Sequence, residues 1–250
     1  TPNIPDATDD QKNQMIAQAK FFRAYWYSWL VNFFGGVPII QVPLDKSSGD
    51  TLDYPRSSYA DCVTFMQQDL TDAANALPDE WPDNDKGRVT KGAALALKSE
   101  IELYASKWQD CVNSCNAIFA LNKYSLADYS TMFIPAGEVN NEVIFDVDFD
   151  GKTKAHSAEV FLSPRVDPAS GIAAGWGHVQ PTQELVDEYE FTDGKPGNDP
   201  SHANDPYTGR DKRFYESILY NGSDWRGGKV WTYYDPTINV YANNFDINFS

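Results

Sequence analysis

Residues Ala24-YWYSWLVNFFGGVPI-Ile40 run for 17 residues without a charge, carry two tryptophans and two tyrosines, and follow Lys20 and Arg23. Three environments suit such a run: a membrane, a buried helix or a binding surface. A spanning helix needs about 20 mostly apolar residues. Here Ser28, Asn32, Gly35, Gly36 and Pro38 interrupt the run where it would still be crossing. The membrane reading therefore fails. Coiled as a helix, the stretch puts Phe22, Trp26, Trp29, Leu30 and Phe33 on one stripe, while Phe21 and Tyr25 add apolar area on another side. A helix that is apolar nearly all round packs on several sides, so the run reads as an inner helix of a helical stack.

The neighbouring sequence supplies the rest of that stack. Thr8 followed by Gln11 has capping-box spacing and opens a helix that reaches about Phe34 and stops at Gly35-Gly36. Ser58 followed by Asp61 opens a second helix, in which Tyr59, Val63, Met66, Leu70, Ala73 and Leu77 make one apolar face before Pro78. Thr90 caps a third, with Ala94, Leu97, Ile101 and Tyr104 on its stripe and an end near Ser106. The fourth, with Trp108, Cys111, Val112, Cys115, Ile118 and Phe119, follows at once, so the third and fourth form a hairpin. Gly92 to Leu121 is about the size of one tetratricopeptide-type unit, with a degenerate repeat signature.

The second half has another grammar. Glu142-VIFDVD-Phe149 reads as a strand, Thr182 to Glu190 as a short helix opened by Pro181, and Phe214 to Tyr220 as a strand or short helix. Thr192 to Lys212 is rich in Gly, Pro, Asp and Asn, and loops this long are functional or poorly ordered. The expected organisation is mainly α: tetratricopeptide-like helical hairpins over residues 1–130 and an irregular, loop-rich subdomain with short strands over 131–250, packed on it as one domain.

Composition narrows the partners. The chain has 250 residues, 42% of them hydrophobic and 14% aromatic, ample for a sizeable core. A net charge of −16 repels phosphate backbones and anionic headgroups, which argues against nucleic acid. Cys62, Cys111 and Cys115 have no metal-binding spacing and read as small buried hydrophobes. The chain opens on Thr1, with no initiator methionine, no signal-like segment and no nearby cysteine for a lipid, and reads as a mature product or a fragment.

No motif for catalysis or a cofactor is present: no phosphate-binding loop, no dinucleotide fingerprint, no nucleophile elbow, no zinc-protease helix. Asp146, Asp148, Asp150 and Gly151 match the first half of a calcium loop, but its twelfth position is Ser157 and a strand-like run precedes it. No metal site is expected. His156, His178 and His202 lie in no triad or metal motif. The aromatic residues among glycines and polar residues stand out instead: Trp176 beside His178, Trp225 beside Arg226, and Trp231, Tyr233 and Tyr234 beyond. Indole and phenol rings stack on the C–H faces of sugars while polar neighbours bond the hydroxyls. Two readings stay open for these rings: anchors that pin loops, or a platform for a glycan.

Five segments taken in order resemble the SusD/RagB family of surface glycan-binding lipoproteins of bacterial outer membranes. They are Ala19-KFFRAYWYSWLVNFFGGVPI-Ile40, Gly87-RVTKGAALALKSEIELYASK-Trp108, Asn140-NEVIFDVD-Phe149, Pro181-TQELVDEYEFTD-Gly194 and Arg210-DKRFYESILYN-Gly222. The resemblance implies non-catalytic binding of oligosaccharide or polysaccharide at the cell surface, in polysaccharide uptake, and delivery to a TonB-dependent transporter. It also implies a membrane link only through a lipid anchor absent from this chain. A protein-binding helical scaffold is the alternative, and a glycoside hydrolase a more distant one. Candidate ligand-binding residues, taken from the loop aromatics, are Trp176, His178, Trp225, Arg226, Trp231, Tyr233 and Tyr234. No catalytic residue and no cofactor is expected.

Overall fold

In the computed structural model, which describes residues 4–43, 45, 47, 53–134, 140–164 and 175–230, the first helix begins at its expected cap. Thr8 Oγ1 accepts from Gln11 N–H at 3.2 Å and Gln11 Oε1 accepts from Thr8 N–H at 2.9 Å, so two otherwise unbonded donors of helix α1 (Asp9–Phe34) are satisfied reciprocally. Its exit needs both glycines. Gly35 adopts φ +71°, and a Cβ on Gly36 would lie 2.1 Å from the Ser57 carbonyl oxygen. The chain then folds back, because Tyr27 Oη donates to Pro38 O at 3.2 Å and accepts from Ile40 N–H at 2.8 Å.

Helix α1 packs on α2 (Tyr59–Ala76) through Ala17, Phe21, Ala24 and Val31. The two cations that flank the opening stretch point at α2. Arg23 makes a two-pronged bond to the buried carboxylate of Asp69, 2.7 Å on each prong, and Lys20 pairs with Asp72. A buried carboxylate needs such a forked partner to offset its desolvation. The opposite face of α1 differs from expectation: Phe22, Trp26, Trp29, Leu30 and Phe33 are exposed. The helix is packed along one face, not all round.

Helices α3 (Lys91–Tyr104) and α4 (Trp108–Ala120) form the expected hairpin, and α2 packs on α3. Thr90 caps α3 through a bond from Ala93 N–H at 3.3 Å. Cys62, Val63, Met66, Leu70, Ala73, Val89, Ala93, Ala94 and Ile101 form the core of this part. Cys62 is buried as expected, while Cys111 and Cys115 on α4 are half-buried and free. A polar chain crosses the three helices. Glu102, only 1% exposed, accepts from Gln67 Nε2 and Ser114 Oγ, each at 2.7 Å, and Lys107 Nζ donates to Gln67 Oε1 at 2.7 Å.

The chain divides into two compact units, Thr1–Asp148 and Phe149–Ser250. The run Glu142 to Phe149 lies in the first up to Asp148, at its edge. It is not a strand: its backbone has no ladder partner among the described residues, and its hydrogen bonds go to side chains. Asn140 Oδ1 accepts from Glu142 N–H at 2.8 Å, and the Glu142 carboxylate accepts from Ala127 N–H at 2.7 Å. Two of its apolar residues meet the helices, Ile144 against the helical core and the Phe145 ring 5.5 Å edge-on from Phe21, while Val143, Val147 and Phe149 are exposed.

In the second unit the described elements are short helices α5 (Ala158–Leu162), α6 (Gln183–Asp187) and α7 (Lys212–Ser217), and the paired strands β1 (Asp224–Trp225) and β2 (Gly228–Lys229). Elements this small cannot hold themselves together. Arg210 ties them. It is 2% exposed, donates to the carbonyls of Gly197 at 2.9 Å, Pro206 at 3.0 Å and Val186, and lies between the rings of Phe191 and Phe214 at 4.7 and 4.9 Å. The Gly/Pro/Asp-rich run from Thr192 to Lys212 is thus an ordered loop wrapped round one guanidinium.

Candidate functional site

Helix α5 is five residues long, so it has almost no internal hydrogen bonds and its carbonyls need other donors. Four consecutive backbone N–H groups bond to carbonyls of α5 and of the two residues that follow it. Gly175 donates to Pro164 O at 2.8 Å, Trp176 to Val160 O at 2.7 Å, Gly177 to Ser163 O at 3.0 Å and His178 to Phe161 O at 3.0 Å. The fit admits no side chain at Gly175, where a Cβ would stand 2.3 Å from Ser163 O. This backbone clamp sets the side chains. Phe161 meets Trp176 edge-on at 5.0 Å and His178 at 5.6 Å, and Trp176 and His178 are 5.4 Å apart. Trp176 is 53% and Phe161 40% exposed, so the clamp presents the rings to solvent.

The same helix holds the second pair of candidates through Glu159. Strands β1 and β2 pair Trp225 with Gly228 and turn over Arg226 and Gly227, whose φ values of +47° and +79° fit the twist of a two-residue hairpin. Arginine is an unusual occupant of that region. Its guanidinium stands 4.7 Å from the Trp225 ring centroid and forms an ion pair with Glu159. Trp225 is half-buried. Four of the seven sequence candidates, Trp176, His178, Trp225 and Arg226, therefore gather around α5. Trp231, Tyr233 and Tyr234 lie outside the described residues.

Phe161 and Glu159 were not foreseen as members. A five-residue helix is too short for periodicity to register, and the visible signal was only an apolar trio, Val160-Phe161-Leu162, after an acidic residue. Other candidates resolve as local structure. His202 stacks on Phe191 at 3.8 Å with Nε2 3.1 Å from Asp193 Oδ2, and this bond lowers the Asp193 pKa. Asp150 caps its own turn. It accepts from the Thr153 hydroxyl and from Thr153 and Lys152 N–H, which draw its pKa down to about 2. Among the described residues no three His, Cys, Asp or Glu side chains group as metal ligands, and no helix is long and apolar enough to cross a membrane.

The first unit has an open polar groove of about 420 Å³ over α2, α3 and α4, lined by Thr64, Gln67, Gln68, Lys98, Asp110 and Asn113 among others. Its buried floor, Glu102, is already bonded by Gln67 and Ser114, so the groove offers a ligand mainly amides and hydroxyls.

Two family descriptions match. Residues 3–103 match "Starch-binding associating with outer membrane", and residues 141–249 match "SusD family". A SusD-like protein, P25, of Formosa agariphila is 29% identical over 143 residues, which are 57% of this chain and 27% of that one. The solved structure of a SusD-like protein from Bacteroides fragilis superposes with a TM-score of 0.81 at 31% identity, over 91% of this chain and 48% of that chain. A laminarin-binding SusD-like protein superposes at 0.65 with 27% identity, over 74% and 45%. The chain spans about half the length of the solved proteins it matches. With the described secondary structure mainly helical and both halves matched in order, the chain belongs to the SusD/RagB family.

Proposed function

We propose that the second unit binds a neutral oligosaccharide or polysaccharide on the platform around α5 and does not cleave it. The observation that carries this reading is the solvent-facing cluster of Phe161, Trp176 and His178, fixed by four backbone hydrogen bonds. A pyranose has apolar C–H faces and a rim of hydroxyls. Aromatic rings take the faces, and His178, Glu159 and Arg226 supply acceptors and donors for the rim. Each ring contact is worth roughly 1 kcal/mol, so three need polar help to reach millimolar affinity, about −4 kcal/mol. Preorganisation by the clamp provides some of it, since little ordering remains to be done on binding.

Carbohydrate binding is also supported by the names of relatives, one described as laminarin-binding. The wider role rests on family membership: glycan capture at the outer-membrane surface and transfer to a TonB-dependent transporter. The test is calorimetry and affinity electrophoresis of this chain against neutral plant, microbial and host polysaccharides, laminarin first, with a reducing-end assay on the same samples. The expected result is binding to one glycan class, no new reducing ends, and an affinity roughly fivefold to tenfold lower for Trp176→Ala, in line with one ring contact. Silence across the panel, or release of new ends, would overturn the reading.

A further inference from the structure

The polar groove over α2, α3 and α4 has a floor of two deeply buried polar side chains, Glu102 at 1% and Ser114 at 4% exposed. A carboxylate so placed needs hydrogen bonds to offset its desolvation. Gln67 and Ser114 supply them, and Lys107 holds the other end of the Gln67 amide. Lys98 contributes less: its Nζ stands 3.8 Å from Glu102 Oε1, beyond hydrogen-bond distance, so its donors stay available to the groove. Lys98 also lines a second hollow of about 510 Å³, which continues the groove along Leu95, Ala117 and Leu121.

The groups on the walls have each spent one side of their bonding capacity locally. Thr64 donates its hydroxyl proton to Ala60 O at 2.9 Å and Thr71 to Gln67 O at 2.7 Å, each one turn back on α2. Their oxygens are thereby left as acceptors. Gln68 Nε2 donates to Asp72 at 2.8 Å, which leaves its Oε1 to accept, and Asn113 Oδ1 accepts from Gln109 at 3.1 Å, which leaves its two N–H donors. The groove thus presents fixed acceptors at Thr64, Gln68 and Thr71 and fixed donors at Lys98 and Asn113, beside an apolar strip of Leu95 and Ala117.

This lining selects a ligand class. An anion meets Asp110 and Glu102, and a cation meets Lys98. An extended peptide offers one N–H and one C=O per residue and turns its side chains alternately to opposite faces, for which the groove has one apolar strip only. A sugar hydroxyl both donates and accepts, so it satisfies either kind of group, and the C–H face of a pyranose suits Leu95 and Ala117. At about 420 Å³ the polar part alone falls within the range of small-molecule sites, about 300–1,000 Å³.

We propose that this groove is a second carbohydrate site, for a short neutral saccharide, made by residues of the first unit alone and independent of the aromatic platform. It is the weaker of the two, because no ring in it stacks on the sugar. The test is a nuclear magnetic resonance titration of the isotope-labelled chain with maltose, cellobiose and lactose, with arginine and glutamate as charged controls. It is read at the side-chain amides of Gln68 and Asn113, assigned by substitution. Both amides should shift saturably at millimolar disaccharide, alike in the parent and in Trp176→Ala. Thr71→Val and Asn113→Ala should each weaken that response about fivefold, the loss of one hydrogen bond, while melting within about two degrees of the parent and keeping its affinity for polysaccharide. Silence of both amides would overturn the proposal, as would unchanged affinity in both groove variants or a stronger response to arginine or glutamate than to any sugar. So would loss of the shifts in Trp176→Ala, which would put all sugar binding on the platform. Groove shifts in a chain that binds no polysaccharide would sink the platform reading and leave this one standing.

Discussion

At the scale of single residues, Arg210 is the most heavily constrained side chain of the second unit. Three carbonyls, of Val186, Gly197 and Pro206, depend on its guanidinium, and two aromatic rings enclose it. Leaving buried acceptors without donors costs about 1–3 kcal/mol each, and the terms do not simply add. Arg210→Met should therefore destabilise the protein by about 3 kcal/mol or more in urea unfolding, and Arg210→Lys should recover little, since an ammonium cannot fork to three acceptors while lying flat between rings. Full stability in the lysine variant would show that charge alone suffices. Asp211 makes a smaller, pH-dependent contribution. The Arg213 side chain and the Arg213 N–H both donate to it and draw its pKa down to about 2. Its unfolded value is near 3.9. A lowered folded pKa contributes stability that is complete above about pH 4 and fades as the pH falls towards about 2. The urea midpoints of the parent and Asp211→Asn should thus be separated at pH 6 and converge near pH 2. A gap that persisted at pH 2 would assign the effect to packing instead.

At the scale of elements, punctuation was more legible than pairing. Thr8 with Gln11, Ser58 and Thr90 cap the helices expected of them, because a cap is a local bond within three residues and needs nothing from the rest of the chain. The helix expected over Thr182 to Glu190 is shorter, Gln183–Asp187, with Thr182 as its cap in place of an opening at Pro181. A strand requires a partner. Glu142 to Phe149 has a strand's composition and no partner among the described residues, and only its Ile144 and Phe145 meet the helices; the only described strands lie at Trp225, where two residues on each side were too few to notice. The candidate site divides along the same line. Trp176, His178, Trp225 and Arg226 were visible as ring-bearing or charged residues among glycines. Helix α5, which gathers them, was not, since its identity depends on amides 11 to 17 residues further along the chain. Gly175→Ala tests whether the clamp matters. The added methyl collides with Ser163 O, so glycan affinity should fall at least as far as in Trp176→Ala although every ring is retained. Unchanged affinity would show that Trp176 binds, if at all, without being held against α5.

At the scale of the whole molecule, the charge of −16 disfavours anionic ligands, and in the proposed function the platform selects among neutral ones. Long-range repulsion acts on anionic polymers and is screened beyond about 10 Å at 0.1 M salt. A neutral glycan feels neither term. In the proposed function its binding on Phe161, Trp176 and His178 rests on ring contacts and neutral hydrogen bonds, and the exposed Arg226–Glu159 pair is of a kind worth about 0–1 kcal/mol. Affinity for a neutral polysaccharide should therefore change by less than about twofold between 50 mM and 500 mM sodium chloride, whereas a sulfated or uronate-rich polymer should bind only at the higher salt, if at all. Calorimetry at the two ionic strengths checks this. A tenfold loss of neutral-glycan affinity at high salt would mean that Arg226 and Glu159 lead recognition and the rings only support them, and the first substitution to examine would then be Glu159→Gln rather than Trp176→Ala.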